Sequence, residues 1–189
     1  MDVTEFVLAE LPPPRARVLE VGCGNGDLAR ALAAAGYDVL AVDPDAPEGA
    51  IFRRTTIEEL DDDQDSFDAV VASRSLHHVD DLGQALDKIA GLLRPGGVLI
   101  LDEFAWDQLD ASSASEVGIP LDEWRKEHED LHTATAMLAE LWAHFEQRRC
   151  SWEPYLHREQ RKAVSEELER ELIAAGRLAP TGFRYVGTR

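Results

Sequence analysis

An acid and three glycines lie close together near the start of the chain, in the series Glu20-x-Gly22-x-Gly24-x-Gly26. A short β-prone run precedes them, and an Ala- and Leu-rich segment with helical spacing follows. A glycine turn between a strand and a helix presents unpaired backbone N–H groups and leaves room for a ligand against the main chain. The series therefore predicts a binding loop for a ligand with a polar or anionic group.

The glycine spacing differs from that of the loop that binds the pyrophosphate of NAD(P). That loop reads Gly-x-Gly-x-x-Gly, whereas here Asp27 occupies the third glycine position and Gly26 comes one residue early. A carboxylate at this place would oppose a pyrophosphate bound at the helix N-terminus. The spacing therefore disfavours an NAD(P)-dependent oxidoreductase.

The segment Val18-Leu19-Glu20-Val21-Gly22-Cys23-Gly24-Asn25-Gly26 resembles motif I of the class I S-adenosylmethionine-dependent methyltransferases, in particular their small-molecule, type 11-like members. The cofactor carries a cationic ammonium beside a carboxylate, so its site needs an anion as well as backbone donors. The resemblance implies that Glu20 is that anion, acting directly or through water. It also implies cofactor contacts for the residues of the turn, which are Gly22, Cys23, Gly24 and Gly26.

Three further segments resemble this family in order and spacing. Asp43 ends the second β-prone run and resembles the acid that binds the ribose hydroxyls, and Pro44 beside it would pack on the adenine. Such an acid also occurs in NAD enzymes, so Asp43 alone does not discriminate between them. Residues 66–80 resemble the fourth strand and its loop, and residues 93–100 resemble the turn into the fifth strand. The resemblance adds Ser73, at the end of the fourth strand, to the cofactor contacts.

The adenine side of the expected site departs from the family pattern. Many members have an acid followed by a small apolar residue where this chain has Thr56 and Ile57, so Thr56 supplies a hydrogen-bond acceptor without a charge. Glu58 is a candidate replacement for the missing acid, and the segment after Asp43 leaves room only for a very short crossover helix. These departures keep a second function open, that of a catalytically silent module that binds S-adenosylmethionine or S-adenosylhomocysteine.

Two histidines in the loop after the fourth strand are the candidate catalytic groups. Methyl transfer from a sulfonium is an in-line displacement in which proximity and orientation supply much of the rate, and a base helps when the acceptor is a hydroxyl. His77 and His78 lie where ligands of doubly wound folds bind, at the carboxyl edge of the sheet. The alternative is that one packs against the helix at Leu82 while the other faces solvent.

The segment His128-Glu129-Asp130-Leu131-His132 matches His-Glu-x-x-His, whose imidazoles share one face when the segment is helical. Catalytic zinc needs a third protein ligand and an open position, and the sequence assigns no third ligand. We therefore predict no metal site, and we expect helix packing or acceptor contact for these histidines. Insertions after the fifth strand often cover the acceptor in this family, which makes Trp124, His128 and His132 candidate acceptor-pocket residues.

These residues are expected to be positioned by a doubly wound α/β fold. Continuous apolar runs that alternate with helical segments predict a mostly parallel sheet buried on both faces, and the resemblance implies the seven-stranded, Rossmann-like methyltransferase fold. The expected strands are Arg17–Val21, Tyr37–Val42, Ile51–Thr55, Phe67–Ser73, Val98–Leu101, Gln147–Leu156 and Gly182–Gly187. The expected helices are Val3–Leu11, Leu28–Ala35, Leu82–Leu93, a long helix Leu121–Phe145 with Trp142 among its inner positions, and a last helix that includes Val164–Ile173.

The chain is expected to form a single methyltransferase domain over residues 1–189. Residues 1–103 make the cofactor-binding half, residues 104–146 make a helical cover inserted after the fifth strand, and residues 147–189 supply the return strands and the last helix. Trp106–Ile119, at the start of the cover, shows no clear period.

Charge and composition limit the partners. Thirty-seven acids against nineteen Lys and Arg give a net charge of −18, which repels nucleic acid and other polyanions, so the expected partner is a small-molecule acceptor. No apolar run approaches the ~20 residues of a membrane span. The two cysteines offer no disulfide framework and the N-terminus lacks a signal-peptide pattern, so the cytoplasm is the expected compartment.

Overall fold

The computed structural model describes residues 1–159 and 164–189. Seven strands form one sheet in the order β3-β2-β1-β4-β5-β7-β6. Their bounds are β1 Arg17–Val21, β2 Asp38–Asp43, β3 Phe52–Arg54, β4 Phe67–Ser73, β5 Leu93–Phe104, β6 Glu146–Glu153 and β7 Gly182–Thr188. The expectation of a doubly wound, mostly parallel, seven-stranded sheet is confirmed.

Strand direction decides which residues meet at the edge of this sheet. The first five strands pair in parallel, and β7 is antiparallel to both of its neighbours, β5 and β6. β6 therefore runs in the same direction as β1 to β5, and all six end at one edge. The residues at the ends of β1, β2, β4, β5 and β6 converge there.

Helices cover both faces of the sheet, as its buried strands require. They are α1 Val3–Glu10, α2 Asp27–Ala34, α3 Leu82–Leu92, α4 Ala111–Val117, α5 Leu121–Glu127, α6 Ala134–His144 and α7 Glu166–Ala174. Three single-turn 3-10 helices join them, η1 Leu76–His78, η2 Trp106–Gln108 and η3 Leu156–Arg158. Side chains of α1 and α2 pack on one face of the sheet and those of α3 and α6 on the other. A third cluster joins α4, α5, η3 and α7 around Phe104.

The second crossover contains no helix, whereas a very short one was expected. Between Asp43 and Phe52 the chain forms turns only. The Phe52 ring instead packs toward the glycine turn, where a Cβ built on Gly26 would lie 2.5 Å from it.

The prediction of one long helix over Leu121–Phe145 is wrong, because the chain forms α5 and α6 with a break at residues 128–133. The break has a local cause. The Thr133 hydroxyl accepts the N–H of Ala136 and starts α6, while Asp107 Oδ1 accepts the N–H of Ala134 at 2.7 Å. Trp142, expected inside, is 61% exposed.

The segment without a clear period contains a helix that the sequence pattern missed. The Asp110 carboxylate accepts the N–H of Ser113 at 2.7 Å and caps α4, whose C-terminus closes at Gly118. β5 is longer than the expected Val98–Leu101, because pairing with β4 begins at Leu93 and resumes after an irregularity. Capping chemistry defines α4 better than its hydrophobic spacing does.

A buried ion cluster connects β5 to β7 and to η3. Asp102 is 3% exposed, and its Oδ1 accepts from Arg184 Nε of β7 at 2.8 Å while its Oδ2 accepts from Arg158 of η3 at 2.7 Å. The Arg184 guanidinium also lies over the ring of Phe6, 4.6 Å from its centroid. One carboxylate thus fixes η3 against the sheet.

We expect Asp102→Asn to lower the free energy of unfolding by about 3–5 kcal/mol, because it leaves the buried Arg184 cation uncompensated. Urea denaturation measures the change. Arg177→Ala, which breaks an exposed ion pair with Glu116, is the matched control and should cost no more than about 1 kcal/mol. Equal effects in the two variants would contradict the role assigned to Asp102.

Candidate active site

A cavity of about 1780 Å³ lies at the carboxyl edge of the sheet. It brings together residues of the glycine turn, of the end of β2 and of the loop after β4. The predicted site residues in its wall are Glu20, Gly22, Cys23, Gly24, Asp43, Pro44, Thr56, Ile57, Ser73, His77, His78 and His128. Gly26, Trp124 and His132 are not among the lining residues.

The glycine turn is fastened to the end of β2. The N–H groups of Gly22 and Cys23 both donate to Val42 O, at 2.8 and 3.1 Å. The N–H of Gly24 donates to Asp43 Oδ2 at 2.9 Å, and the N–H of Asp45 donates to Oδ1 of the same carboxylate at 2.8 Å. Asp43 is therefore held in one orientation, with lone pairs left over for a ligand.

The three glycines of the turn have different surroundings. All three adopt left-handed backbone conformations, but only Gly24 has no heavy atom within 4 Å of an added Cβ. An added Cβ on Gly22 would lie 2.2 Å from Ser75 Cβ, and one on Gly26 would meet Phe52. Gly24 is thus the glycine that leaves open space for a ligand, whereas Gly26, predicted as a cofactor contact, serves packing behind the turn.

Glu20 is buried at the floor of the cavity without a full set of partners. It is 3% exposed, and its Oε2 has no hydrogen-bond partner. Burial raises the pKa of Glu20 to about 8, a hydrogen bond from the Ala29 backbone opposes that rise, and the nearby Asp43 charge adds to it. A buried carboxyl in this condition attracts a cation or a hydrogen-bond donor from the cavity.

Cys23 is a small residue of the turn without thiolate character. Burial and the nearby charges of Glu20 and Asp43 raise the pKa of its thiol to about 12. Since the thiolate is the nucleophile, Cys23 is unsuited to covalent catalysis.

The wall beyond Asp43 contains a second unpartnered carboxylate oxygen. Thr56 Oγ1 accepts the N–H of Glu59 at 3.3 Å, so part of its capacity is used within the turn. Glu58 Oε1 is buried without a hydrogen-bond partner. A carboxyl group, which Thr56 lacks, is therefore present two residues later at Glu58, the residue considered from the sequence as its replacement.

His77 is oriented by a carboxylate that the sequence analysis did not identify. Its Nδ1 lies 2.6 Å from Glu103 Oε2, and Glu103 Oε1 accepts the N–H groups of Ser75 and Leu76 at 2.9 and 2.8 Å. Glu103 is 1% exposed, and in the neutral tautomer of His77 that donates from Nδ1 to this carboxylate, Nε2 is the accepting nitrogen. The signal for Glu103 was its place at the end of the fifth apolar run.

His78 lines the same cavity beside His77, with the ring centroids 4.2 Å apart. Burial lowers the pKa of His78, the neighbouring His77 lowers it further, and Glu103 opposes the shift. His78 is therefore neutral near pH 7.

Aromatic side chains form the wall opposite the glycine turn. Phe104 stacks on Tyr155, with ring centroids 4.4 Å apart and planes at 16°, and both line the cavity. Phe104 also contacts His77 edge-on at 5.8 Å and His128 at 5.2 Å. Neither Phe104 nor Tyr155 belongs to a sequence motif, and Tyr155 reaches the site only through the turn of η3, so neither was predicted as a site residue.

Two of the three predicted acceptor-pocket residues lie outside the cavity wall. Trp124 is 1% exposed, and its indole N–H donates to Trp106 O at 3.0 Å, behind His128. His132 Nε2 donates to Val79 O at 2.8 Å and holds the loop after η1. Only His128, which donates from Nδ1 to Trp124 O at 2.7 Å, reaches the cavity.

The His-Glu-x-x-His segment is not a helix, so its imidazoles do not share a helical face. His128 ends α5, and His132 lies in the break before α6. Among the residues that the structure describes, no group of three or more His, Cys, Asp or Glu side chains is arranged to hold a metal ion.

Comparison with known proteins identifies the family. A family model described as "Methyltransferase domain", type 23, matches residues 1–160. This chain belongs to that methyltransferase family. A crystal structure of an S-adenosylmethionine-dependent methyltransferase from Mesorhizobium loti shares the fold, with a TM-score of 0.68 and 20% identity over 97% of this chain and 95% of that one.

Two other proteins extend the comparison. The 1,6-didemethyltoxoflavin-N1-methyltransferase of Burkholderia thailandensis, crystallised with S-adenosylhomocysteine, has a TM-score of 0.64 and 21% identity over 98% of this chain and 76% of its own. A ubiquinone biosynthesis O-methyltransferase of Xanthomonas axonopodis pv. citri is 39% identical over 112 residues. That match covers 51% of this chain and 46% of the relative, so the chain spans less than half the length of this curated relative.

The cavity of this methyltransferase fits the cofactor of its family. The ammonium, the ribose hydroxyls and the adenine amino group of S-adenosylmethionine all donate hydrogen bonds, and the cavity offers carboxyl oxygens to accept them and open space beside them. The unpartnered oxygens of Glu20 and Glu58, the fixed carboxylate of Asp43 and the open space at Gly24 form this set. The donor set is acidic, as a cationic ligand requires.

We expect Gly24→Val to abolish binding of S-adenosylhomocysteine while the methyltransferase still folds, because the added side chain projects into open cavity. Calorimetric titration measures binding, and urea denaturation should register about 1–3 kcal/mol for the left-handed backbone. Gly22→Ala is the matched control and should destabilise the fold more, through Ser75. Normal binding by Gly24→Val would contradict the assignment of this turn to the cofactor.

The affinity for S-adenosylhomocysteine should rise about tenfold per unit between pH 6 and 7. The cationic ammonium binds ionised Glu20, whose pKa of about 8 keeps it protonated when free, so binding releases close to one proton in this range. The ligand ammonium lies beside its own carboxylate and stays charged in this range. Calorimetry in buffers of different ionisation enthalpy measures the proton, and Glu20→Gln should bind weakly with no pH slope; a flat profile in the unaltered protein would refute the pairing.

Proposed function

We propose that this chain transfers the methyl group of S-adenosylmethionine to a hydroxyl of a small aromatic acceptor. The observation that carries the proposal is the His77 imidazole, oriented by Glu103, in the wall of the same cavity as Glu20 and Asp43. A base and a cofactor site that face one cavity are what hydroxyl methylation requires.

The cofactor half of the proposal assigns one role to each group. Glu20 binds the ammonium, and Gly24 permits close approach of the methionine part. Asp43 accepts from the ribose hydroxyls, and Pro44 packs beside the adenine. Glu58 accepts from the adenine amino group in place of the missing family acid. Each of these residues lines the cavity.

The chemistry divides between the cofactor and the chain. S-adenosylmethionine supplies, when bound, a methyl group activated by its positive sulfur. His77 takes the acceptor's hydroxyl proton on Nε2, and Glu103 stabilises the resulting imidazolium through Nδ1. The aromatic wall holds the acceptor in position and excludes water, so orientation supplies much of the remaining rate.

The acceptor is proposed to be aromatic and attacked at oxygen. Phe104 and Tyr155 lie in the cavity wall as a stacked pair, and an aromatic wall suits a ring-shaped acceptor. The Xanthomonas relative is named for O-methyl transfer, which agrees with a hydroxyl acceptor. A neutral or weakly charged acceptor also agrees with the net charge of −18, which disfavours nucleic acid and other polyanions.

We propose the cytoplasm as the site of this activity. Both cysteines, Cys23 and Cys150, are free thiols, which suits a reducing compartment. In the part of the chain described by the structure, every helix is too short or too polar to cross a bilayer.

We expect His77→Gln to lower kcat for methyl transfer to phenolic acceptors by about 10²–10⁴-fold, because the acceptor loses its base. Affinity for S-adenosylhomocysteine should stay within threefold of the unaltered protein. A labelled methyl donor with a panel of phenols measures transfer, and calorimetry measures binding.

His132→Gln is the matched control, because that imidazole lies outside the cavity and its bond to Val79 can be replaced by an amide. Tight binding of both sulfur nucleosides with no transfer to any acceptor would favour the silent binding module instead. Equal losses in the two variants would refute the role of His77 as base.

A further inference from the structure

A second histidine in the cavity wall is hydrogen-bonded to a buried glutamate. His157 Nδ1 lies 2.6 Å from Glu169 Oε2, and the Glu169 side chain is fully buried. The same carboxylate accepts the N–H groups of Tyr155 and Leu156 on Oε1, at 2.6 and 2.8 Å, and that of His157 on Oε2, at 3.0 Å.

This arrangement repeats the one at His77. In each case a Leu-His pair lies in a single-turn 3-10 helix, η1 or η3, and a distant glutamate accepts the N–H groups at the start of that turn. In each case the remaining oxygen holds the middle histidine through Nδ1 at 2.6 Å. Both rings are therefore fixed in orientation through Nδ1, and Nε2 is the nitrogen that does not contact the buried glutamate.

The two histidines line the same cavity. The aromatic pair lies next to both along the chain or in space: Phe104 contacts the His77 ring edge-on and stacks on Tyr155, which lies two residues before His157. His157 Nε2 lies 3.8 Å from Glu166 Oε2, beyond hydrogen-bonding distance, and that glutamate side chain is 55% exposed. The His157 imidazole therefore lies in the same cavity wall as Phe104 and Tyr155, and not within the core.

Anchoring η3 does not require an imidazole at this position. Three backbone N–H groups already hold the Glu169 carboxylate, and Arg158 ties the turn to Asp102. The fourth bond to Glu169 orients the His157 ring and adds little to the turn. A polar ring fixed in this way at a cavity wall is suited to recognising a hydrogen-bonding group.

We propose that His157 binds a second hydroxyl of the acceptor, and that the acceptor is therefore a dihydroxylated aromatic ring. His77 faces the hydroxyl that is methylated, His157 faces the hydroxyl that is retained, and the Phe104–Tyr155 pair contacts the ring between them. This inference rests on the proposed function. It concerns acceptor specificity and leaves the cofactor half unchanged.

The test compares phenol with the 1,2-, 1,3- and 1,4-dihydroxybenzenes as acceptors. We expect at least one dihydroxybenzene to exceed phenol by tenfold or more in kcat/KM, and to bind the S-adenosylhomocysteine complex at least tenfold more tightly by calorimetry. One well-placed hydrogen bond accounts for a factor of about ten.

Variants separate recognition from a structural role. His157→Gln should raise KM for the preferred dihydroxybenzene about tenfold, with kcat for phenol and affinity for S-adenosylhomocysteine unchanged, whereas His77→Gln should lower kcat for both. His144→Gln is the matched control, since that histidine bonds to Glu140 O and Asp87 on the outer surface. Circular dichroism checks that each variant is folded.

The outcomes distinguish the two proposals. Binding of S-adenosylhomocysteine without preference for any dihydroxybenzene, or without turnover of any of the four compounds, would overturn the assignment of His157 and leave the cofactor half standing. An equal loss for phenol and dihydroxybenzene in His157→Gln would also overturn it. Failure to bind S-adenosylhomocysteine at all would overturn the proposed function as well.

Discussion

Six of the seven strands run in one direction, so their last residues meet at one edge of the sheet. Beyond that edge the backbone N–H groups have no neighbouring strand to bond. Side-chain carboxylates accept their hydrogen bonds instead. Asp43 binds the turn after β1, and Glu103 binds the turn after β4. The position of the glycine loop and of His77 follows from these two acids, each at the end of its own strand.

The cofactor half could be predicted from sequence to a large extent, because its residues are local to strand ends. β1 and β4 have the expected bounds, and the turn that contains Gly24 lies where its spacing indicated. The Glu103 carboxylate that orients His77 is 26 residues away in sequence, and no spacing rule connects the two residues. Trp124 and His132, predicted as acceptor-pocket residues, do not line this cavity, because the helix expected over residues 121–145 breaks before α6.

Electrostatics divides the cavity into two parts. Glu20, Asp43 and Glu58 make the β1–β2 side acidic, and burial keeps the Glu20 proton in place until a cation arrives. The opposite side is aromatic and imidazole-rich, with His78 kept neutral by burial. Desolvation acts in the same sense on one group of each part, because burial raises the pKa of Glu20 and lowers that of His78, which favours the uncharged form of both.

The two buried glutamates hold their turns through backbone N–H groups, and this has an evolutionary consequence. A backbone donor is present whatever side chain the residue carries, so these glutamate contacts persist when a side chain of η1 or η3 is exchanged. New acceptor chemistry is then accessible by point mutation at the cavity wall, with the sheet and the cofactor loop untouched. Diversification of such a wall requires neither insertions nor a new domain.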